Sequence, residues 1–345
     1  RASVQSRLSM EEWKWLLVHN LIGLCDLLPF EHEPGVAVRL EFPGPKQNNQ
    51  RTWEFGSAAF RLCAFLDCSS TTSGGAIFAD ANMVLSVERS HFRGCYSGQF
   101  GGGIYAKSVG NSITDSCFVE CSAADSRDDS GHAGYLCCRN SGYITQISCA
   151  TFVLCPIAGI GYDSTILVEA CTEELTRSNF TANKVKSIEV FQSNSPTNLP
   201  ATFDFFFNCT CGTCLNVGYY GDIEQCIFIS NPNTGVINGV VQTKSNGIIS
   251  DSIFYDNGQP NFELKSYKYQ VKNCYFCKNT FPPPSGTERC GEFTTHRMVI
   301  PKICGKIPSN PFSKNTPTMN SLPFFIGVVL ITAIDEDKPH SIAST

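Results

Sequence analysis

Residues 90–121 read SHFRGCYSGQFGGGIYAKSVGNSITDSCFVEC and contain one short unit twice. The unit is a small residue or Cys, any residue, Phe, two further residues, and then Cys or Asn. It begins at Ser90 and again at Ser116, 26 residues later. Between the copies lies Gly101-Gly102-Gly103-Ile104, which follows the similar Gly74-Gly75-Ala76-Ile77 by 27 residues. Two different landmarks therefore share nearly the same period.

The unit occurs nine times along the chain, and three of its positions recur. The phenylalanines are Phe65, Phe92, Phe118, Phe152, Phe180, Phe206, Phe228, Phe254 and Phe276. Three residues after them come Cys68, Cys95, Cys121, Cys155, Asn183, Cys209, Asn231, Asn257 and Asn279. The leading residues are Cys63, Ser90, Ser116, Ala150, Ser178, Asp204, Cys226, Ser252 and Cys274, and only Asp204 is out of type.

The steps between successive phenylalanines are 27, 26, 34, 28, 26, 22, 26 and 22 residues, close to the length of one β-solenoid turn. They predict an all-β fold, a right-handed single-stranded parallel β-helix (a pectin-lyase-like solenoid) of about nine coils over residues 60–280. The step of 34 predicts an inserted surface loop within 122–131. Arg127, Asp128 and Asp129 place charge there that a coil interior would not tolerate.

Strand alternation explains the spacing within the unit. The leading residue and Phe turn inward, and the residue between them turns outward. Because coils lie about 4.8 Å apart, the rings should stack in one column. Asn three residues later suits a turn, since it tolerates left-handed backbone and can hydrogen-bond the next coil, and Cys is its small, buryable substitute.

The two ends lie outside the repeat. Residues 1–59 should form an N-terminal cap containing a helical segment at Glu11 to Leu28, because a solenoid end needs covering. Residues 281–321 are rich in Pro, Ser, Thr and Asn and should form an irregular C-terminal cap or stalk. Residues 322–345 hold the apolar run Leu322 to Ile334 and a polar tail. This run is shorter than the roughly 20 residues of a spanning helix, so a membrane anchor and a buried terminal element both stay open.

The composition indicates a folded chain from an oxidising compartment. Hydrophobic residues make up 42% and charged residues 17%, and there are 19 cysteines. The net charge of -5, without a basic stripe, argues against a nucleic-acid partner. Asn179-Phe180-Thr181 and Asn208-Cys209-Thr210 are candidate glycosylation sites. We expect an extracellular or cell-surface location, with or without a membrane anchor.

Two kinds of chemistry compete with a purely structural interpretation. Arg127-Asp128-Asp129 with His132 could serve acid–base cleavage of a glycosidic bond, but adjacent carboxylates diverge on a strand and fit a solvated turn better. Cys209-x-Cys211-x-x-Cys214, Cys137-Cys138 and Cys274-x-x-Cys277 are candidate zinc clusters. Zinc sites generally pair two such clusters, and two of these cysteines, Cys209 and Cys274, fall at repeat positions, so buried thiols or disulfides are favoured. We predict no catalytic residue, cofactor or metal.

The Gly-Gly-Ala-Ile and Phe-x-x-Asn motifs resemble those of the chlamydial polymorphic outer-membrane protein passenger domains and of similar surface proteins in parasitic protists. The resemblance covers about residues 60–280. It rests on Gly74 to Ile77, the partial copy Gly101 to Ile104, and the units at Phe180, Phe228, Phe254 and Phe276. It implies a right-handed β-helix displayed at a cell surface with an adhesin-like role, and it carries over no catalytic residue.

We therefore expect a non-enzymatic surface or secreted protein, adhesin-like or structural, with a host-cell, matrix or glycan surface ligand. The alternatives are a carbohydrate-active enzyme, similar to a polysaccharide lyase or glycoside hydrolase, and a receptor-like binding module. An enzyme should show a groove with clustered carboxylates. An adhesin should show an uninterrupted lateral face with exposed polar and aromatic residues.

Overall fold

A computed structural model describes residues 38–41, 56–80, 83–124, 131–138, 144–156, 164–185, 189–193, 200–217, 221–232, 239–242, 247–258 and 269–280. Within these ranges the chain forms strands, turns and bends, and no helix. Each strand pairs in parallel with the equivalent strand one coil away. The prediction of an all-β parallel β-helix is confirmed.

Two predicted segments, Glu11 to Leu28 and Leu322 to Ile334, lie outside the described residues. In the part of the chain that the structure describes, no helix has the length and apolar character needed to cross a membrane.

Four parallel sheets form the wall of the solenoid, and their strands follow one another in space in the order of the chain. Sheet 1 contains Val38–Glu41, Ile77–Asp80, Ile104–Ser108, Gly134–Cys138, Ile166–Glu169, Glu189–Ser193, Thr213–Val217 and Val241–Gln242. Sheet 2 contains Gly56–Arg61, Met83–Glu88, Gly110–Thr114, Ile144–Ser148, Thr172–Thr176, Ala201–Thr202, Ile223–Glu224, Gly247–Ser250 and Tyr269–Lys272.

Sheet 3 contains Ala64–Leu66, His91–Arg93, Cys117–Val119, Thr151–Val153, Asn179–Thr181, Phe205–Phe207, Ile227–Ile229, Ile253–Tyr255 and Tyr275–Cys277. Sheet 4 contains Ser69–Ser70, Tyr96–Ser97 and Ser122–Ala123. Successive coils visit sheets 1, 2 and 3 in turn. The sequence predicted that the first coil begins at residue 60. Val38–Glu41 pairs in register with Ile77–Asp80, so a strand of sheet 1 already lies upstream of that residue.

One phenylalanine from each strand of sheet 3 enters a single column inside the coils. The eight successive ring pairs have centroids 4.5–5.0 Å apart and interplanar angles of 2–19°. No ring is more than 4% exposed. The separation matches the distance between neighbouring strands, because Phe pairs with Phe in register along the whole sheet.

A second column is formed three residues after the phenylalanines. The Asn231 amide donates to Asn257 Oδ1 at 2.9 Å, and the Asn257 amide donates to Asn279 Oδ1 at 3.1 Å. The amides of all three asparagines also donate to the carbonyl of a Phe in an earlier coil. The Cys209 thiol donates to the equivalent Phe180 carbonyl at 3.3 Å. Cys therefore replaces Asn as a donor in this column.

The left-handed backbone lies one residue earlier than the sequence predicted. Ser230 and Asp256, which directly precede two column asparagines, have φ values of 51° and 54°. A further left-handed position precedes each leading residue, as at Asp251 with φ 50°. The prediction that the column Asn itself tolerates left-handed backbone was wrong. Its role is to supply side-chain hydrogen bonds between coils.

Glycines form the corner that leads into sheet 1 in the early coils. Gly74, Gly101 and Gly131 have φ values of +70°, +61° and +54°, which Gly adopts without strain. The Gly101 N–H donates to the Gly131 carbonyl at 3.1 Å, so the segment beginning at Gly131 is a third copy in register. A Cβ at Gly102 would collide with the Ser122 carbonyl oxygen.

The outward side of sheet 3 is buried over most of its length. In the first seven strands the residue directly before each Phe, from Ala64 to Ile227, is at most 8% exposed. Phe205, Phe207, Ile227 and Ile229 form an apolar cluster separate from the coil interior. Strand alternation therefore determines which way each side chain of this sheet points, but it does not determine whether that side chain is exposed to solvent.

Candidate binding face

Three aromatic side chains form a row on the outer side of sheet 1, which we call the aromatic row: Phe78, Tyr105 and Tyr135. They occupy paired positions in three successive strands. Their ring centroids are 5.1 and 5.2 Å apart, with interplanar angles of 12° and 7°. Phe100 packs beside the row, 5.5 Å from Tyr135. All four side chains are half-buried, so the row forms part of the protein surface.

The row exists because these strands alternate cleanly. Ile77 and Ile104 point into the coil and are fully buried, and the aromatic residue that follows each points outward. The next outward row, the polar row, contains Asp80, Lys107, Cys137 and Glu169 in register. Of its members Lys107 is exposed and the other three are half-buried.

Tyr135 joins the two rows. Its hydroxyl donates to Glu169 Oε2 at 2.6 Å, one coil away. Burial, and then the Glu169 carboxylate, raise the pKa of the Tyr135 phenol above its ordinary value. The phenol therefore keeps its proton and remains a hydrogen-bond donor at any physiological pH.

The stacking decides what this face can recognise. Tyr105 stacks on Phe78 on one side and on Tyr135 on the other, so the facing sides of these rings are covered. The row therefore presents ring edges and phenol groups to the outside rather than open aromatic faces. Together with the Lys107 ammonium and the Glu169 carboxylate, these edges form a narrow amphipathic strip across several coils. Such a strip can contact an extended ligand laid along the solenoid axis. It offers little room for a sugar ring to stack face to face.

The strip ends where the sequence changes type. The residue that follows Tyr135 in register is Leu167, which is fully buried.

Sheet 2 offers a different surface, on which Val84 is 41% and Ile144 is 57% exposed. Gly110 pairs with Val84 in the coil between them. Single exposed aliphatic side chains of this kind are normal on protein surfaces.

The aromatic row was not predicted from the sequence. A signal was present, since an aromatic residue directly follows the Ile of both Gly-rich landmarks. The landmarks by themselves indicate only the period of the repeat. Their outward neighbours become meaningful once the strands are placed side by side.

The structure describes only part of the group of residues proposed for glycosidic chemistry. Arg127, Asp128 and Asp129 lie outside the described residues. His132 is 1% exposed, and its Nδ1 accepts a hydrogen bond from the Ala123 N–H at 3.1 Å. Burial lowers the pKa of His132 to about 4. This imidazole is buried in the wall of the coil and is out of reach of an external polymer.

The three cysteine clusters separate into different environments. Cys137 and Cys138 point to opposite sides of sheet 1, and Cys138 forms a disulfide with Cys171 one coil away. Cys274 is buried, whereas Cys277 is half-buried. Cys209, Cys211 and Cys214 are all fully buried. Among the described residues, no three His, Cys, Asp or Glu side chains lie close enough together to hold a metal ion.

The two sequons differ in accessibility. Asn179 is 2% exposed and lies on the outward side of sheet 3. Asn208 is half-buried and occupies the turn that follows Phe205–Phe207. Of the two, Asn208 is the more exposed on the folded chain.

No family model, no curated protein and no solved structure matches the chain.

Proposed function

We propose that this chain is a non-enzymatic, secreted or cell-surface β-helix, wound right-handed, that binds a host-cell, matrix or glycan surface ligand through the outer side of sheet 1. The single observation that supports this proposal most directly is the aromatic row beside the polar row. Tyrosine side chains beside a lysine cation suit a recognition surface, because each combines apolar area with a directional polar group.

Two further features support the same role. The stacked Phe and Asn columns give a rigid, regular scaffold, so a ligand would meet a preorganised surface. The resemblance of the Gly-Gly-Ala-Ile and Phe-x-x-Asn motifs to chlamydial passenger domains and protist surface proteins favours display at a cell surface. A right-handed winding is also the common hand for parallel strand connections.

The test compares charge reversal on two faces of the solenoid. Purified chain is applied to arrayed glycans, to a panel of extracellular-matrix proteins and to cultured cells. Lys107→Glu alters the polar row, and Lys272→Glu alters an exposed lysine on sheet 2. Loss of one charge-assisted contact should weaken binding about tenfold or more in the first variant. The second variant should bind like the wild type.

Equal binding by the wild type and both variants would remove sheet 1 as the binding face. Absence of binding to every glycan, matrix protein and cell would remove the adhesive role. Release of shortened oligosaccharides from the array would instead favour the carbohydrate-active alternative.

A further inference from the structure

Two buried thiols lie unusually close together at a corner of the solenoid. Cys211 Sγ and Cys214 Sγ are 3.5 Å apart, and both side chains are 0% exposed. They belong to the sequence Cys211-Gly212-Thr213-Cys214, which runs into the sheet 1 strand Thr213–Val217. Both side chains are held inside the coil at a turn, so their short separation is set by the path of the backbone. It does not depend on the chance position of a mobile surface side chain.

The backbone around the pair is fixed from the next coil. The Cys214 N–H donates to the Val240 carbonyl at 2.9 Å, and the Cys211 N–H donates to the Pro232 carbonyl at 3.4 Å. Ala76 occupies the same corner position as Cys214 in an earlier coil, since its N–H bonds the next coil in the same pattern. This position is occupied by Gly103, Ala133, Thr165 and Val240 in other coils, and in this coil it carries a thiol.

The neighbouring Cys209 differs from this pair. Its thiol donates to the Phe180 carbonyl at 3.3 Å and to the Phe207 carbonyl at 3.6 Å, as a member of the Cys and Asn column. Burial raises the pKa of the Cys209 thiol well above its ordinary value, which suits a fixed hydrogen-bond donor. Cys209 therefore serves inter-coil bonding and gives a matched reference for the other two thiols.

We infer that Cys211 and Cys214 are a disulfide-forming pair that closes this corner when the chain folds under oxidising conditions. The sulfurs need to approach by about 1.5 Å to reach a bond length of about 2.05 Å, which small side-chain rotations can supply. The interior already accommodates such a bond, because Cys138 and Cys171 are joined there.

The reaction is a two-step exchange with a small-molecule or protein disulfide. One thiolate attacks the oxidant and forms a mixed disulfide, releasing one oxidant thiol. The second thiolate then attacks the protein sulfur, forms the Cys211–Cys214 bond and releases the other thiol. Two protein thiols are oxidised, one oxidant disulfide is reduced to two thiols, and the two protein protons pass through the solvent to the released thiolates. Because both sulfurs are buried, the exchange takes place before the coil closes.

The experiment refolds the reduced full chain in a glutathione redox buffer and alkylates the remaining thiols in denaturant. Proteolysis and fragment mass spectrometry then locate each modified cysteine. We expect Cys211 and Cys214 to escape alkylation and to share a bond, marked by the loss of two hydrogen atoms, while Cys209 is alkylated. In Cys211→Ser, Cys214 should become alkylated, whereas Cys209→Ser should leave the bond intact.

The Cys138–Cys171 bond serves as the internal control for oxidation. If that bond forms and Cys211 and Cys214 are both alkylated, the proposal is overturned. It is equally overturned if Cys209 pairs with either of them. The wild-type map decides the question even if a serine variant fails to fold.

Discussion

Asp204 is the one leading residue that differs in type, and its environment makes a sharp prediction. The side chain is fully buried, and Oδ1 accepts a hydrogen bond from the Ser178 N–H at 2.7 Å. Oδ2 is buried with no hydrogen-bond partner among the described residues. Burial raises the pKa of the Asp204 carboxyl well above its usual value, and the Ser178 N–H only partly opposes this. We predict that Asp204→Ser stabilises the protein.

The magnitude follows from a coil that already has Ser at this place. Ser252 Oγ accepts from the Cys226 N–H at 3.1 Å and donates to the Ser250 carbonyl at 2.8 Å, so both roles of the hydroxyl are satisfied. Replacing Asp204 by Ser should keep the bond to Ser178 and remove one unpaired buried oxygen. Such an atom costs about 1–3 kcal/mol, which sets the expected gain in unfolding free energy at a pH low enough for this carboxyl to be protonated in the unfolded chain as well.

The effect should grow with pH. In the unfolded chain the Asp204 carboxyl loses its proton above a pH of about 3.9. In the folded chain its pKa is raised, so the carboxyl still holds the proton at that pH. Unfolding then releases a proton, so the wild type loses about 1.36 kcal/mol per pH unit from this group until the folded pKa is reached. Asp204→Ser should remove that slope, and the gain over the wild type should be larger at pH 8 than at pH 5.

Urea unfolding of both proteins at pH 5 and pH 8, followed by circular dichroism, measures the difference. Glu224→Gln is the matched control, since Glu224 is an exposed carboxylate on sheet 2, one coil away from Asp204. It should leave the slope unchanged. An Asp204→Ser midpoint equal to or below that of the wild type at pH 8, or an unchanged pH slope, would refute the reasoning.

Three further outcomes are expected. Phe180 is fully buried, and its ring stacks on its two neighbours at centroid distances of 4.9 and 4.8 Å. Phe180→Ala should therefore lower the free energy of unfolding, measured in urea, by about 3–5 kcal/mol. Phe203→Ala, at a residue that is 41% exposed, should lower it far less. Asn257→Ala leaves buried groups of adjacent coils unpaired and should cost about 1–3 kcal/mol, seen as a lower thermal midpoint. In a glycosylating secretory host, glycopeptide mass spectrometry should find Asn208 occupied and Asn179 unoccupied; folded chain with a glycan at Asn179 would contradict the buried placement.

The sequence alone determined the winding of the chain. The nine Phe residues and their Cys or Asn partners recur at a coil-length period, and a solenoid coil contacts only its neighbours. Residues at the same point of the repeat are therefore bound to meet, whatever the rest of the coil does. The Phe column and the parallel pairing follow from one-dimensional periodicity, which is why the sequence was enough to predict them.

Tertiary structure decided the contacts between different points of the repeat. The Cys138–Cys171 disulfide, the Tyr135–Glu169 hydrogen bond and the approach of Cys211 to Cys214 all join positions that the period does not align. They depend on the angle of each corner and on the left-handed residues that set it, which include ordinary residues such as Ser230 as well as glycine. The burial of the outward side of sheet 3 likewise reflects packing around the coil, because strand alternation fixes only the direction of a side chain.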